Sequence, residues 1–214
     1  MNRRNAFKLV SVEDYLATEA ESLQKHEYVN GHVLAMSGST EAHNLICSNL
    51  SRIISNHLES TGCRLYHNDM KVRVEATNSF YYPDIMVTCE PFDAKCVYKS
   101  SPTLLIEILS PSTMATDQRE KKIAYLKISS LVEYLLVHQN RMQVELVRRI
   151  SDDEWSSDTF RGTDEFVLRS LPKAELKLSV QSIYKGYNPT SRVKEGEIEY
   201  ETTHTLTAQE NHTI

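Results

Sequence analysis

Two acidic residues lie in segments whose neighbours are apolar, and the burial of each one needs an explanation. Glu107 has apolar neighbours throughout 104–109, and Asp84 follows Pro83 and precedes the apolar run 85–87. An unpaired carboxylate removed from water would sooner take up a proton, so each acid needs a cationic partner, a shared proton or a metal ion. For either acid alone, a structural ion pair is the simplest explanation.

As a pair, the two acids favour a metal site. Each belongs to a strand predicted to be buried, and two strands that each place an acid at the same end of a sheet form a site for a hard cation. Magnesium prefers one or two carboxylates, a backbone carbonyl and several waters as ligands. We therefore expect Asp84 and Glu107 to bind one divalent cation, with a structural ion network as the open alternative.

A cationic side chain is expected beside these acids, on the helix that follows Glu107. Asp117, Lys121 and Tyr125 are four residues apart, so they share one helix face. Apolar residues border that face, which brings Lys121 near the sheet, whereas Lys122 points elsewhere. A solvent-exposed pair between Asp117 and Lys121 explains the same spacing, and periodicity alone does not decide between the two.

Hydrophobic periodicity predicts a single α/β domain over residues 1–187. Ser11 and Asp14 form a capping pair at the start of a first helix, and Asn30-Gly31 predicts the type I′ turn of a β-hairpin. Apolar residues at helical spacing predict a second helix over 42–58. The segments predicted as strands are 64–69, 70–75, 82–88, 103–109, 133–138, 143–149 and 165–169, with further helices over 116–128 and 179–187. The order strand, helix, strand over 103–138 is a βαβ unit, which requires part of the sheet to be parallel.

Composition excludes several classes of protein and site. The chain has 214 residues and a net charge of −5, which excludes a strongly basic coat that binds nucleic acid without specificity. Its four cysteines include no CxxC pair, so we expect reduced thiols rather than a zinc knuckle or a disulfide framework. Neither a signal peptide nor an apolar run of the ~20 residues that a membrane helix needs is found, so a cytoplasmic protein is expected. The polar residues 188–214 are interpreted as a tail.

The order and spacing of several short motifs resemble a known nuclease family. Pro83-Asp84 followed by Glu107 in an apolar strand resembles the PD-(D/E)XK nuclease superfamily, and over residues 10–187 the chain more closely resembles the Uma-type restriction endonucleases. The matching stretches are Val12-Glu13-Asp14-Tyr15-Leu16, Glu27-Tyr28-Val29-Asn30-Gly31, Ala42-His43-Asn44, Pro83-Asp84-Ile85, Glu107-Ile108-Leu109-Ser110-Pro111-Ser112, Asp117 with Lys121 and Tyr125, and Val132-Glu133-Tyr134. The resemblance implies a restriction-endonuclease-like fold, in which helices flank a mixed β-sheet.

One position departs from the superfamily pattern. The lysine expected two residues after Glu107 is Leu109, and in the Uma-type pattern this lysine is displaced onto the following helix, at Lys121. The displacement is physically tolerable because a long, flexible ammonium side chain can reach the same point from another backbone position.

The resemblance implies a divalent-metal-dependent endonuclease that hydrolyses phosphodiester bonds in DNA. The catalytic residues it implies are Asp84, Glu107, Lys121, Glu27 and His43. Mg²⁺ or Mn²⁺ would be held by Asp84, Glu107 and the carbonyl of Ile108. The expected partner is DNA, whose phosphates would meet Lys71, Arg73, Arg119 and Lys122. Asp69 is also indicated by the resemblance, and we interpret it as a turn acid between two strands.

Two other functions stay open. A catalytically degenerate nuclease fold could bind DNA or a protein without cutting it, and a structural ion network could hold these acids without any metal. A cleavage assay with Mg²⁺ or Mn²⁺ separates the first of these from an active nuclease. The choice between a single copy and a homodimer is also open.

Overall fold

The computed structural model describes residues 9–110 and 117–189. The predicted start of the third helix near Thr116, and the tail from residue 190 onward, lie outside the described residues. The strands are β1 His26–Val29, β2 His32–Ala35, β3 Arg64–His67, β4 Lys71–Val74, β5 Ser79–Tyr81, β6 Ile85–Thr88, β7 Tyr98–Lys99, β8 Pro102–Leu109, β9 Glu133–His138, β10 Gln143–Arg149, β11 Trp155–Arg161, β12 Glu165–Leu168 and β13 Leu176–Ser179. The helices are α1 Val12–Glu21, α2 Glu41–Leu58, α3 Lys122–Tyr125 and α4 Val180–Ile183, with a 3-10 turn at Glu75–Thr77 and a π-helical turn at Asp117–Lys121.

A six-stranded mixed sheet forms the centre of the fold. Its strand order is β11-β10-β9-β8-β6-β3, in which β8 and β9 are parallel and the other neighbours are antiparallel. The βαβ unit predicted over 103–138 is confirmed, with α3 in the crossover. The strands that carry the two acids are adjacent, as predicted. Because Ile85 pairs with Ile106, Asp84, which directly precedes β6, lies across from Glu107.

A second, five-stranded sheet packs against one face of the central sheet. Its order is β2-β1-β5-β4-β7, and the predicted hairpin with Asn30 and Gly31 at its turn forms β1 and β2. Both turn residues have positive φ, as a type I′ turn requires. The chain passes from the second sheet to the central sheet through residues 82–84, so the strand predicted from Tyr82 begins three residues later.

Each face of the central sheet has its own apolar core. On one face, Ile46, Leu50 and Ile54 of α2 pack against strand residues such as Ile106. On the other face, residues of the second sheet and of α3 pack against the central sheet, and Tyr125 is completely buried there. Since side chains alternate along a strand, Glu107 points to this second face, between the two sheets.

The structure differs from the predicted elements in the third helix and in several strands. The helix predicted over 116–128 is α-helical only in α3, after a π-helical turn, within the part that is described. Four strands were not predicted: β5, β7, β11 and β13. The strand β11 is polar and lies at the edge of the central sheet, so it lacks the apolar alternation by which half-buried strands are recognised. None of the helices described is long and apolar enough to cross a membrane.

A disulfide joins Cys63 and Cys89, so the expectation of reduced thiols is wrong for this pair. Cys63 directly precedes β3 and Cys89 directly follows β6. Arg64 pairs with Thr88 in antiparallel register, and the two cysteines are therefore the next facing pair. Their spacing in the sequence does not reveal this register, which depends on the pairing of β3 with β6. Cys47 and Cys96 are free thiols.

The disulfide generates a prediction about stability. It closes a segment with a sequence separation of 26 residues, and the loss of such a cross-link costs about 3 kcal/mol of unfolding free energy in the chain-entropy account. We expect the double variant Cys63→Ala/Cys89→Ala to unfold at a lower urea concentration than the wild type. Its free energy of unfolding should be lower by this amount. The matched control is Cys96→Ala, which removes a free thiol. Titration of all four thiols in the native, non-reduced protein would contradict the prediction.

His138 generates a prediction about acid stability. The side chain is buried at the end of β9, and its Nε2 lies 3.1 Å from an Arg141 nitrogen, which can only donate. Burial, reinforced by the charge of Arg141, lowers the pKa of His138 from 6.5 to about 4. As the pH falls, the unfolded chain therefore binds a proton at His138 before the folded chain does. The stability that the folded protein has with neutral His138 is lost as the pH falls from about 6.5 toward 4.

The variant His138→Gln keeps an acceptor for Arg141 but does not titrate. Between pH 7 and pH 5, the wild type should lose roughly 1–2 kcal/mol more unfolding free energy than this variant does. Urea denaturation at the two pH values measures the difference, with His32→Gln on the exposed strand β2 as the control. Equal pH dependence in the wild type and in His138→Gln would show that His138 does not carry the effect.

Candidate active site

A cleft of about 740 Å³ opens at the edge of the central sheet where β8 and β9 end and β6 begins. The second sheet contributes β1 and β2 to its wall, and the loop between β2 and α2 closes another side. The polar side chains that matter for chemistry in the cleft are Glu27, His43, Asp84, Glu107, Lys121 and Gln139. All five residues predicted to be catalytic line this one cleft, together with Ile108.

Asp84 lies in the connection between the two sheets, directly after Pro83. Its Oδ2 accepts a hydrogen bond of 2.7 Å from the Ile108 backbone N–H and lies 3.0 Å from Nε2 of His43. Both contacts use the same oxygen, and among the described residues Oδ1 has no hydrogen bond or ion pair. Since the side chain is 14% exposed, the second oxygen is available to a ligand in the cleft.

Glu107 is almost fully buried, at 2% exposure, yet it borders the cleft. Its Oε1 accepts a hydrogen bond of 2.9 Å from the Tyr125 hydroxyl and lies 3.5 Å from Nζ of Lys121. Burial, reinforced by the negative charge of Glu107, raises the pKa of Tyr125 well above its usual value. The hydroxyl therefore stays protonated and remains a donor, which holds the carboxylate in one orientation.

Lys121 lies between two carboxylates. Its Nζ is 2.8 Å from Oε1 of Glu27 and 3.5 Å from Oε1 of Glu107. The same oxygen of Glu27 accepts a hydrogen bond from the Tyr82 backbone N–H, so Glu27 is itself held in place. The neighbouring Lys122 instead contacts Glu145, at 2.7 Å. Of the two lysines considered from the sequence, Lys121 is the one that lines the cleft.

His43 is brought to Asp84 by the first turn of α2. That helix begins after Thr40, whose hydroxyl oxygen accepts from the His43 N–H and donates to Oε1 of Gln139. The N-terminus of α2 is thereby tied to the end of β9. Nδ1 of His43 is buried and has no hydrogen-bond partner among the described residues. Among the described residues, Nε2 is therefore the ring nitrogen of His43 that has a polar partner, the Asp84 carboxylate.

Burial of an acid does not by itself mark this site, as Glu133 demonstrates. Glu133 is also buried in an apolar strand, at 0% exposure. One of its oxygens contacts Arg148 at 2.8 Å, and the other accepts hydrogen bonds from the Arg169 N–H and from the N–H and hydroxyl of Ser170. This carboxylate is satisfied by the protein and does not line the cleft, so its role is structural.

The donor atoms at the cleft fit a hard divalent cation. Asp84 and Glu107 supply carboxylates, and the carbonyl of Ile108 points to the same side of β8 as its N–H, which bonds Asp84. No cluster of three or more His, Cys, Asp or Glu side chains suited to a metal is present among the described residues. Magnesium does not need one, because one or two carboxylates with a carbonyl and waters suffice.

The cations expected along the cleft are not there. Lys71 is buried and donates to the Tyr82 hydroxyl, and burial lowers its pKa. Arg73 lies over the Phe80 ring, and neither Lys122 nor Arg119 lines the cleft as far as the structure describes it. The prediction was wrong because it used alternation along single strands, whereas β4 is covered by neighbouring elements of the fold.

Gln139, Lys25 and Tyr82 are among the cleft residues that sequence reasoning missed. Gln139 directly follows β9, whose parallel neighbour β8 carries Glu107, so the shared edge of the two strands was a signal for it. Lys25 and Tyr82 come from segments adjacent to Glu27 and Asp84, and nothing in the local pattern separated them from ordinary surface residues. Asp69 lies in the turn between β3 and β4, as interpreted from the sequence.

Comparison with known proteins finds similarity in sequence and in fold. The model of the Uma2 family, described as "Putative restriction endonuclease", matches residues 12–181. Two uncharacterized proteins of Synechocystis sp. are similar: slr1290 is 34% identical over 84% of this chain and 94% of its own length, and sll1609 is 29% identical over 69% and 85%. A crystal structure from Anabaena variabilis, described as a putative nuclease belonging to DUF820, shares the fold with a TM-score of 0.64 at 18% identity, covering 81% of this chain and 97% of that one. The chain belongs to the Uma2 family.

Proposed function

We propose that this chain is a divalent-metal-dependent endonuclease that hydrolyses phosphodiester bonds in DNA. The observation that carries the proposal is the convergence of Asp84, Glu107 and Lys121 on one cleft, from three different segments of the chain. Two acids can hold a divalent ion, and a lysine can stabilise the negative charge that develops during hydrolysis of a phosphodiester. The nuclease descriptions of the family and of the Anabaena variabilis protein support the same reaction class.

The charge balance of the cleft supports a bound cation. The described residues that line it include three carboxylates, those of Glu27, Asp84 and Glu107, and two ammonium groups, those of Lys25 and Lys121. Lys25 is paired with Asp69, which does not line the cleft. Carboxylates placed close together repel one another unless a cation or a proton offsets their charge, and a divalent ion would do so.

Asp84 and Glu107, with the carbonyl of Ile108, would hold Mg²⁺ or Mn²⁺. When bound, the ion supplies a water of lowered pKa and neutralises charge on the scissile phosphate. The protein contributes orientation: the Ile108 N–H and His43 both engage Oδ2 of Asp84, and Oδ1 is the oxygen that would bind the ion. The Tyr125 hydroxyl does the same for Glu107. Such outer contacts fix ligand geometry before the ion arrives.

Lys121 would act on the water and the phosphate rather than on the ion. Its ammonium group contacts both Glu27 and Glu107, so it is held beside the carboxylates as a fixed positive charge. A preorganised cation at this point stabilises the negative charge that gathers on the phosphate in the transition state. Glu27 would serve as the residue that positions Lys121, and His43 as the residue that positions Asp84.

Removal of either acid should abolish cleavage without unfolding the protein. Asp84→Ala and Glu107→Ala each remove a proposed metal ligand, so plasmid nicking should fall more than ~100-fold, since changes in the outer contacts of a metal site alone cost 10–100-fold. Nicking of supercoiled plasmid is measured against Mg²⁺ concentration, with thermal melting as the check on folding. The control is Glu165→Ala, which removes an exposed acid on β12. Identical rates for the wild type and Glu107→Ala would favour the alternative, a degenerate nuclease fold that binds DNA or a protein.

Variants of Lys121 and Lys122 test whether the Lys121 ammonium group contributes to turnover or to metal binding. Lys121→Gln should lower the turnover number roughly 100-fold, in the range found for a single preorganised electrostatic contact, while the affinity for Mn²⁺ stays nearly unchanged. Lys122→Gln is the matched control, because Lys122 is adjacent in sequence but contacts Glu145, away from the cleft. Plasmid nicking measures turnover, and calorimetric titration of Mn²⁺ without DNA measures affinity. A large loss of Mn²⁺ affinity in Lys121→Gln would contradict the proposed role.

A further inference from the structure

We propose that Lys25 forms a second phosphate-binding position at the rim of the cleft, which holds the DNA backbone beside the scissile phosphate. The inference rests on the proposed function and specifies how the same cleft recognises its substrate. Lys25 and Lys121 are the ammonium groups among the described residues that line the cleft. They differ in exposure, since the Lys25 side chain is 39% exposed and that of Lys121 only 7%. Lys25 is thus the one that a ligand reaches first from solvent.

The Lys25 ammonium group is held at a defined point rather than left free in solvent. Its Nζ donates a hydrogen bond of 3.0 Å to the backbone carbonyl of Asn68, which also lines the cleft. It lies over the Tyr82 ring, 5.8 Å from the ring centroid. Tyr82 in turn lies two residues before Asp84, and its backbone N–H bonds Glu27. The cation is therefore anchored on the same segment that supplies a proposed metal ligand.

The ion pair with Asp69 leaves this cation open to exchange. Asp69 is 82% exposed and lies in the turn between β3 and β4, outside the cleft lining. An exposed ion pair of this kind contributes little net free energy, so a phosphate oxygen can replace the carboxylate at low cost. By contrast, Lys121 is buried and engaged by Glu27 and Glu107. Asp69 therefore acts as a competitor for the phosphate at Lys25.

The ligand chemistry follows from the charge of the molecule. With a net charge of −5, the chain as a whole repels a polyanion, so affinity for DNA must come from local cations. A lysine that contacts one phosphate releases counterions, which makes binding dependent on salt but not on base sequence. Lys25 is placed to supply such a contact next to the acids, where the strand to be cut would lie.

The experiment measures binding of a labelled DNA duplex by fluorescence anisotropy across a series of salt concentrations, with Ca²⁺ in place of Mg²⁺. Lys25→Ala should raise Kd roughly three- to tenfold at low salt and reduce the slope of log K against log salt by about 0.9, the value for one phosphate contact. Lys25→Arg should restore both Kd and slope.

The opposite change is expected at the partner residue. Asp69→Asn removes the competing carboxylate and should lower Kd, and its 82% exposure means that the substitution leaves the fold intact. The matched controls are Lys177→Ala and Glu165→Gln, which alter another exposed ion pair on β12 and β13 by the same charges. Lys25→Ala should raise Kd more than Lys177→Ala does. Asp69→Asn should lower Kd more than Glu165→Gln does.

Two kinds of failure can be told apart. The change in Kd could be equal for Lys25→Ala and Lys177→Ala, or equal for Asp69→Asn and Glu165→Gln. Either result would reflect only the change in overall charge and would overturn the phosphate-binding position at Lys25. The proposed endonuclease function would survive that result. A wild type that neither binds nor cuts DNA would overturn the proposed function, and the inference about Lys25 with it.

Discussion

The hydrogen bond from the Ile108 N–H to Oδ2 of Asp84 holds together the part of the fold on which the cleft depends. The strand β6 begins only at Ile85, so β8 continues past the end of its neighbour. A backbone N–H at that point would lose its ladder partner, and burial without one is costly. The carboxylate of Asp84 supplies the missing acceptor. The same contact places the acid across from Glu107, and His43 and Lys121 are then brought to the pair by separate helical segments.

Local patterns were sufficient to predict the elements that carry this contact. The apolar runs of β6 and β8, and the crossover to β9, follow from sequence because strands buried on both faces leave a continuous signal. The periodicity of four between Lys121 and Tyr125 left a solvent-exposed pair open as an alternative. The family resemblance implied Lys121, which lies beside Glu107 although the turn before α3 is π-helical. Features that depend on pairing between distant segments were not predictable. The Cys63–Cys89 bond requires the register of β3 against β6, and the burial of Lys71 requires the position of β4 within the second sheet.

Glu107 and Glu133 show why a buried acid in a sequence is an ambiguous signal. Both lie in apolar strands, and these two strands are parallel neighbours in the sheet. From sequence alone, the free-energy cost of burial is the same for each carboxylate. In the fold, Glu133 receives an arginine and three donors from the segment around Ser170, whereas Glu107 shares its environment with Lys121 and other acids at a cleft. The difference lies in what surrounds each carboxylate, and those neighbours come from residues far away in sequence.

The disulfide between Cys63 and Cys89 closes a covalent ring that contains β3, β4, β5 and β6. Two of these strands belong to the second sheet and two to the central sheet, and Asp84 lies on the passage between them. The ring therefore links the two layers by a chemical bond as well as by packing. A protease that cuts the backbone once, anywhere from residue 64 to 88, would leave the chain in one piece, with both ends of the cut still joined to the rest of the molecule.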